Sequence, residues 1–145
     1  MARYLLVAHQ TAERRELLDA ARELAAGDPA AEFTLLVPAT PAGDLLVWEE
    51  GETRDLANRR ARSAASALRS QGLELTDVRV GDADPVVAID DEYLAGHRYD
   101  VIVISTLPTG ISRWIKMDVV SRLQRKRPQT RLIHVESADA PVARS

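Results

Sequence analysis

The sequence has no cysteine, little lysine and few aromatic residues. Without cysteine there can be no disulfide framework, thiolate nucleophile or zinc–thiolate site. Only Lys116 and Lys126 are lysines, and the net charge is −3. A nucleic-acid partner is not expected, because such proteins usually carry a strongly basic face. The apolar run Leu5 to Ala8 is too short for a signal peptide or a membrane span. We therefore expect a cytoplasmic protein with no membrane partner.

Several catalytic motifs are also missing. The sequence has no Walker loop and no Gly-x-Gly-x-x-Gly fingerprint. The first predicted strand is followed by neither a Ser-Gly-Gly-x-Asp-Ser loop nor a His-x-Gly-His motif, which two classes of nucleotide-dependent enzymes use. His97 and His134 lack the spacing of metal ligands. We therefore assign no catalytic residue and no metal ligand.

What the sequence does have is an alternation of strand-like and helix-like segments along its whole length. Apolar runs predict strands at 4–8, 33–37, 73–80, 101–104 and 131–135. Helical periodicity predicts helices at 13–26, 53–70, 85–96 and 113–127. Alternation with helix-length crossovers implies a single α/β domain of the Rossmann-like type, in which helices cover both faces of a five-stranded parallel sheet. We expect this domain to span residues 1–137, followed by a flexible tail at 138–145.

Local charge patterns have ordinary structural interpretations. Asp84 before Pro85 predicts the N-cap of the third helix. Residues 90–92, Asp-Asp-Glu, are predicted to form a solvated helix face. A basic cluster near the last helix is predicted to complement the carboxyl end of that helix, and comprises Arg122, Arg125, Lys126, Arg127 and Arg131.

The ligand site of an open α/β sheet lies beyond the carboxyl ends of the strands, where the strand order reverses. For the predicted order 3-2-1-4-5, that place lies between the ends of the first and fourth strands. The side chains there give the candidate binding residues His9, Gln10, Ser105, Thr106, Thr109, Gly110, Ser112 and Arg113. Simpler roles remain open, since Ser112 could be only a helix cap, Arg113 a solvated first-turn residue, and His9 a polar residue at a strand end.

Two segments carry a resemblance to a known family. Tyr99 to Thr106, an apolar strand preceded by Asp100, leads into Gly110-Ile111-Ser112-Arg113. Gly81-Asp82-Ala83-Asp84-Pro85 opens the third helix. Together with the element order, these segments resemble the universal stress protein family. The resemblance implies a five-stranded parallel sheet with an adenine-nucleotide site at the switch point, and dimers formed through the fifth strand.

The phosphate-binding loop departs from the pattern of the family's ATP-binding branch. That branch has Gly-x-x-Gly, nine residues, then Gly-Ser/Thr. Ser105 and Pro108 stand at the first two glycine positions, and Asp118-Val119 at the last pair. If Gly110-Ile111-Ser112-Arg113 is instead aligned with the family's helix start, the loop is one residue short, and Met117-Asp118 stands at the Gly-Ser/Thr position. Pro108 has no N–H to donate, and the Asp118 carboxylate would repel phosphate.

The family's acidic residue after the first strand is also replaced, by His9-Gln10. We therefore expect the family's usual contacts with ATP to be lost or rebuilt, and an adenine nucleotide to bind at most weakly.

The fifth strand is predicted to lie at an edge of the sheet. An apolar edge favours pairing with another chain. We expect a homodimer through Arg131, Leu132, Ile133, His134 and Val135. The sequence thus predicts a non-catalytic binding or regulatory protein of the stress response with an altered nucleotide site. The alternative is an ATP- or AMP-binding protein that has rebuilt its phosphate loop and hydrolyses ATP slowly.

Overall fold

Five strands alternate with four helices in the computed structural model, which describes residues 2–9, 11–39, 50–107, 114 and 118–137. The strands are β1 (Arg3–Val7), β2 (Glu32–Pro38), β3 (Leu75–Gly81), β4 (Val101–Thr106) and β5 (Arg131–Glu136). The helices are α1 (Arg15–Gly27), α2 (Glu50–Ser70), α3 (Pro85–Leu94) and α4 (Val119–Lys126). Every predicted strand and helix is present, with shifted ends.

The strands form one parallel sheet in the order β3-β2-β1-β4-β5. This confirms the predicted order and fold class. β1 lies in the centre, where Val7 pairs with Leu36 of β2 and with Ile104 of β4. β3 and β5 are the two edges. Helices α1 and α2 cover one face of the sheet, and α3 and α4 cover the other.

The core consists of two apolar layers, one on each face of the sheet. In β1, Leu6 packs toward α1 and α2, whereas Leu5 and Val7 pack toward α3 and α4; all three are fully buried. Burial of each such side chain contributes about 1.5–3 kcal/mol. The inner face of α2 is built mostly from small residues, which let that helix lie close to the sheet: Ala57, Ala61, Ala64, Ala65 and Leu68.

The start of α3 is fixed by a cap and a close approach to the sheet. The Asp84 side chain accepts a 2.9 Å hydrogen bond from the Val86 N–H, and Pro85 follows it, as predicted. At the end of β3, a Cβ on Gly81 would lie 2.8 Å from the Cβ of Ala88. Only glycine fits there without moving the helix.

The prediction of a solvated face at residues 90–92 is wrong for Glu92. Glu92 is buried, and Arg79 donates to its two carboxylate oxygens at 2.8 and 2.6 Å. The Tyr99 hydroxyl donates to the same carboxylate at 2.6 Å. Burial alone would raise the pKa of Glu92, but the hydrogen bonds from Arg79 and Tyr99 outweigh it and hold that pKa below its usual range. The carboxylate therefore ties α3 to β3.

Three members of the predicted basic cluster have partners associated with α3. Arg122 donates to the Asp84 carboxylate at 2.8 Å. Lys126 and Arg127 both bind Asp90, at 2.7 and 3.0 Å. These ion pairs hold α4 against α3. The predicted role of the cluster was only to complement the carboxyl end of its own helix.

The carboxyl end of the described domain remains tied to the sheet. The Ser137 N–H donates to the Thr106 carbonyl at 2.9 Å, and Ser137 is buried.

The edges that flank the sheet differ in character. Thr76 and Asp77 of β3 are exposed, whereas Leu132, Ile133 and Val135 of β5 are half-buried apolar residues. Within the described ranges, no helix is both long enough and apolar enough to cross a bilayer.

Candidate functional site

The ends of β1 and β4 meet at the carboxyl edge of the sheet, where the ligand site is predicted. Because Val7 pairs with Ile104, the residues that follow them in each strand lie side by side. The hydroxyls of Thr11 and Ser105 lie 2.5 Å apart, and both side chains are buried. This contact brings the turn after β1 onto the end of β4.

Three predicted site residues, His9, Ser105 and Thr106, are described by the structure. The others lie outside the described residues, as does Pro108: Gln10, Thr109, Gly110, Ser112 and Arg113. Thr11 was not predicted, although its position two residues beyond His9, at the same strand end, was a usable signal.

His9 begins the turn after β1, and its exposed fraction is only 4%. Its carbonyl accepts a hydrogen bond from the Ala12 N–H at 3.1 Å. Neither ring nitrogen has a hydrogen-bond partner among the described residues. Burial lowers the pKa of His9 to about 4, and the positive charge of Arg60 contributes to this shift. The imidazole is therefore neutral at pH 7.

Arg60 is the residue that the sequence interpretation missed. It is a half-buried residue of α2, three positions after Ala57 and four before Ala64, which places it on the buried face of that helix. Its Nε is buried and lacks a hydrogen-bond partner within the described ranges. Burial lowers the pKa of Arg60; the charge of Glu13 raises it, and that of Arg14 lowers it. A desolvated guanidinium thus lies near a neutral imidazole.

Thr106 makes its contacts toward the edge strand. Its hydroxyl forms a 2.8 Å hydrogen bond with the His134 Nε2, and its carbonyl accepts from Ser137. Thr106 is buried. As positioned here, it joins the end of β4 to β5.

Asp118 has an unusual backbone conformation just before α4. Its φ of 57° and ψ of 38° lie in the left-handed region, which glycine adopts most easily. Within the range 113–127 predicted as a helix, Asp118 is not helical, and α4 begins at Val119. Its exposed carboxylate lies 3.7 Å from Arg125. Of the two alignments of the phosphate loop, this conformation favours the one that puts Asp118 at a glycine position.

A separate cavity of about 210 Å³ lies at the opposite, amino edge of the sheet. Its wall includes Arg3, Glu32 and Arg98. Arg3 pairs with Glu32 at 3.7 Å, and Arg98 donates to the carbonyls of Tyr93 and His97. These internal contacts do not point to a ligand. No group of three or more side chains suited to a metal ion occurs in the part of the chain that the structure describes.

Comparison with known proteins supports the fold assignment. No family model matches the chain, and no curated protein matches its sequence. Among solved structures, it is similar to a protein from the universal stress protein family of Burkholderia pseudomallei, with a TM-score of 0.60 and 18% sequence identity. That match covers 92% of this chain and 94% of the other. It is also similar to a universal stress protein from Archaeoglobus fulgidus, with a TM-score of 0.57, 16% identity and 93% coverage of both chains. The resemblance inferred from the sequence is thus confirmed at the level of the fold.

Proposed function

We propose that this chain, whose fold is that of universal stress proteins, is a homodimeric binding or regulatory protein of the stress response with an altered nucleotide site. The observation that carries the proposal is the fold, which is shared over more than nine-tenths of this chain and of its structural neighbours. The proposal includes no catalytic step. Fold alone does not determine function, so the argument depends on the site.

The proposed alteration of the nucleotide site is supported by two described residues. His9 is a neutral, buried imidazole at the end of β1, where the resemblance implies a carboxylate. Asp118 adopts the backbone conformation of a glycine but adds a carboxylate at the start of α4. A negative charge there repels phosphate oxygens, and its ion pair with Arg125 is long and exposed. We therefore infer weak binding of ATP at this site.

The proposed dimer is supported by the character of β5. Its outer edge has no neighbouring strand within the described part of the sheet. An apolar edge strand tends to pair with another chain, and a two-fold axis would set β5 antiparallel to its copy.

A second candidate function is an ATP- or AMP-binding protein with a rebuilt phosphate site and slow ATP hydrolysis. Arg60 favours this candidate, because it supplies positive charge near the carboxyl edge of the sheet from a different helix.

The test begins with the protein as purified. It is denatured, and the released small molecules are identified by mass spectrometry. Calorimetric titration with ATP and Mg²⁺ then gives the affinity. We expect no stoichiometric nucleotide and a dissociation constant weaker than about 100 µM, which is a binding free energy of about −5.5 kcal/mol. Low-micromolar affinity would contradict the altered site. Release of ADP from ATP at a rate proportional to protein concentration would favour the second candidate.

A further inference from the structure

We propose that Arg60 and His9 form a binding site for a phosphate-type oxyanion, approached from helix α2. The site deepens the function proposed above by naming the chemical group that the carboxyl edge recognises. It rests on that proposal only in assuming that a small ligand binds there. Its charged residue comes from α2, whereas Trp114 and α4 pack on the other face of the sheet.

Polar atoms of His9 and Arg60 lack hydrogen-bond partners in the part of the chain that the structure describes. Both ring nitrogens of His9 and the Nε of Arg60 are buried and have no hydrogen-bond partner among the described residues. Buried polar groups are almost always hydrogen-bonded, and a group left without a partner raises the free energy of the folded state. The imidazole of His9 and the Nε–H of Arg60 are both groups that can donate a hydrogen bond to an oxyanion.

Positive charges lie together around Arg60. Arg60 and Arg14 act on each other as like charges, and Arg60 also disfavours a proton on His9. The negative charge of Glu13 acts on Arg60 in the opposite sense, and the Glu13 Oε1 already accepts a 2.7 Å hydrogen bond from the Ser63 hydroxyl. An anion would relieve this repulsion. The planar fork of a guanidinium matches the oxygens of phosphate.

The His9 imidazole can supply a second hydrogen-bond donor to an anion. Without a ligand, the imidazole is neutral and can donate from one nitrogen only. A bound oxyanion would favour a proton on the second nitrogen and would raise the pKa of His9. Binding should therefore take up a proton and should strengthen as the pH falls below neutrality.

The test uses pyrophosphate and inorganic phosphate as probes, in calorimetric titrations of the full chain at pH 6.5. Arg60→Gln should weaken binding by about 10- to 100-fold, the usual effect of losing a charge-assisted hydrogen bond. Arg59→Gln is the matched control, because Arg59 is the exposed neighbour in the same helix and its loss changes the net charge equally. The control should change the affinity by less than about twofold.

Two further measurements separate binding from folding. Thermal unfolding of Arg60→Gln without anions should occur at the same temperature as in the wild type or higher, because a desolvated cation has been removed. In the wild type, NMR titration of the three histidines should show the His9 pKa rising by about 1–3 units when pyrophosphate is added. The NMR result needs no variant, so it stands even if Arg60→Gln folds poorly.

The outcomes distinguish this site from the proposed nucleotide site. Arg60-dependent binding of pyrophosphate together with low-micromolar affinity for ATP would support the anion site, while the altered nucleotide site of the proposed function fails. Pyrophosphate binding of equal strength in the wild type and in Arg60→Gln, together with an ATP dissociation constant weaker than about 100 µM, would overturn the anion site and leave the proposed function intact. Failure of both probes to bind the wild type, or an unmoved His9 pKa, would also overturn it.

Discussion

The Thr11 hydroxyl lies 2.5 Å from the Ser105 hydroxyl, at the point where the turn after β1 meets the end of β4. Both side chains are 1% exposed. This hydrogen bond fixes the position of the β1 turn, and therefore of His9, relative to β4. The geometry of the candidate site thus depends on a contact between residues that are distant in sequence.

The energy of this contact can be measured with Thr11→Val and Ser105→Ala. Each single change removes one hydroxyl and leaves the other buried hydroxyl without its hydrogen-bond partner. It should lower the free energy of unfolding by about 1–3 kcal/mol. The double variant should lose less than the sum of the single losses, since the two residues share one interaction. Urea unfolding of all four proteins gives the coupling. Simple additivity would mean that the hydroxyls do not interact in solution.

The buried His9 should make the protein sensitive to mild acid. Its pKa is about 4 in the folded state and 6.5 when unperturbed, so the unfolded chain binds more protons between these values. The contribution of neutral His9 to the free energy of unfolding is complete above pH 6.5. It is lost as the pH falls toward 4, by up to about 3 kcal/mol. His9→Gln should flatten this part of the stability curve, measured by urea unfolding from pH 8 to 4 without phosphate buffers. Parallel curves for the two proteins would contradict the lowered pKa.

Asp118 offers a test of backbone strain. Asp118→Gly relieves the left-handed conformation, whereas Asp118→Ala keeps the Cβ; both variants lose the exposed contact with Arg125. The glycine variant should therefore be more stable than the alanine variant by about 1 kcal/mol. Thermal or urea unfolding of the pair gives the difference directly. Equal stabilities would mean that residue 118 is not left-handed in solution.

The proposed dimer can be tested through the backbone of β5. The Ser137 N–H donates to β4, and in a parallel ladder alternate residues bond the same neighbour. The His134 N–H therefore points to the outer edge. His134→Pro removes that donor without touching the β4–β5 ladder, and proline is tolerated at such positions.

We expect the wild type to be a dimer and His134→Pro to be a monomer by sedimentation at micromolar concentration. His134→Ala is the control, because it also loses the bond to Thr106 but keeps the N–H. It should remain dimeric. A wild type that is monomeric at high micromolar concentration would contradict the proposed interface, as would a dimer built on another surface.

The parts of the fold that follow from local chemistry could be predicted from the sequence. A parallel sheet covered on both faces follows from alternating strands and helix-length crossovers, and the Asp84 cap follows from two adjacent residues. The meeting of the β1 and β4 ends was predicted from the rule that ligand sites lie where the strand order reverses. The binding role of His9, Ser105 and Thr106 stays a prediction.

Arg60 and Glu92 were not identified in this way. For Arg60 a signal was present, because the alanine stripe of α2 distinguishes it from the exposed Arg59 and Arg62. Glu92 follows two other acidic residues, and its burial requires Arg79 from β3 as a partner. Tertiary pairing of charges has no local signature, so it appears only in the folded chain.

The unlike edges of the sheet bear on how large an assembly could grow. If two chains join through β5, both outer borders of the combined sheet are β3 strands, whose Thr76 and Asp77 are exposed and whose Arg79 is occupied by Glu92. Polar and charged residues resist strand addition at an edge. Growth would then stop at two subunits, and the β3 borders would protect such a pair from fibre formation.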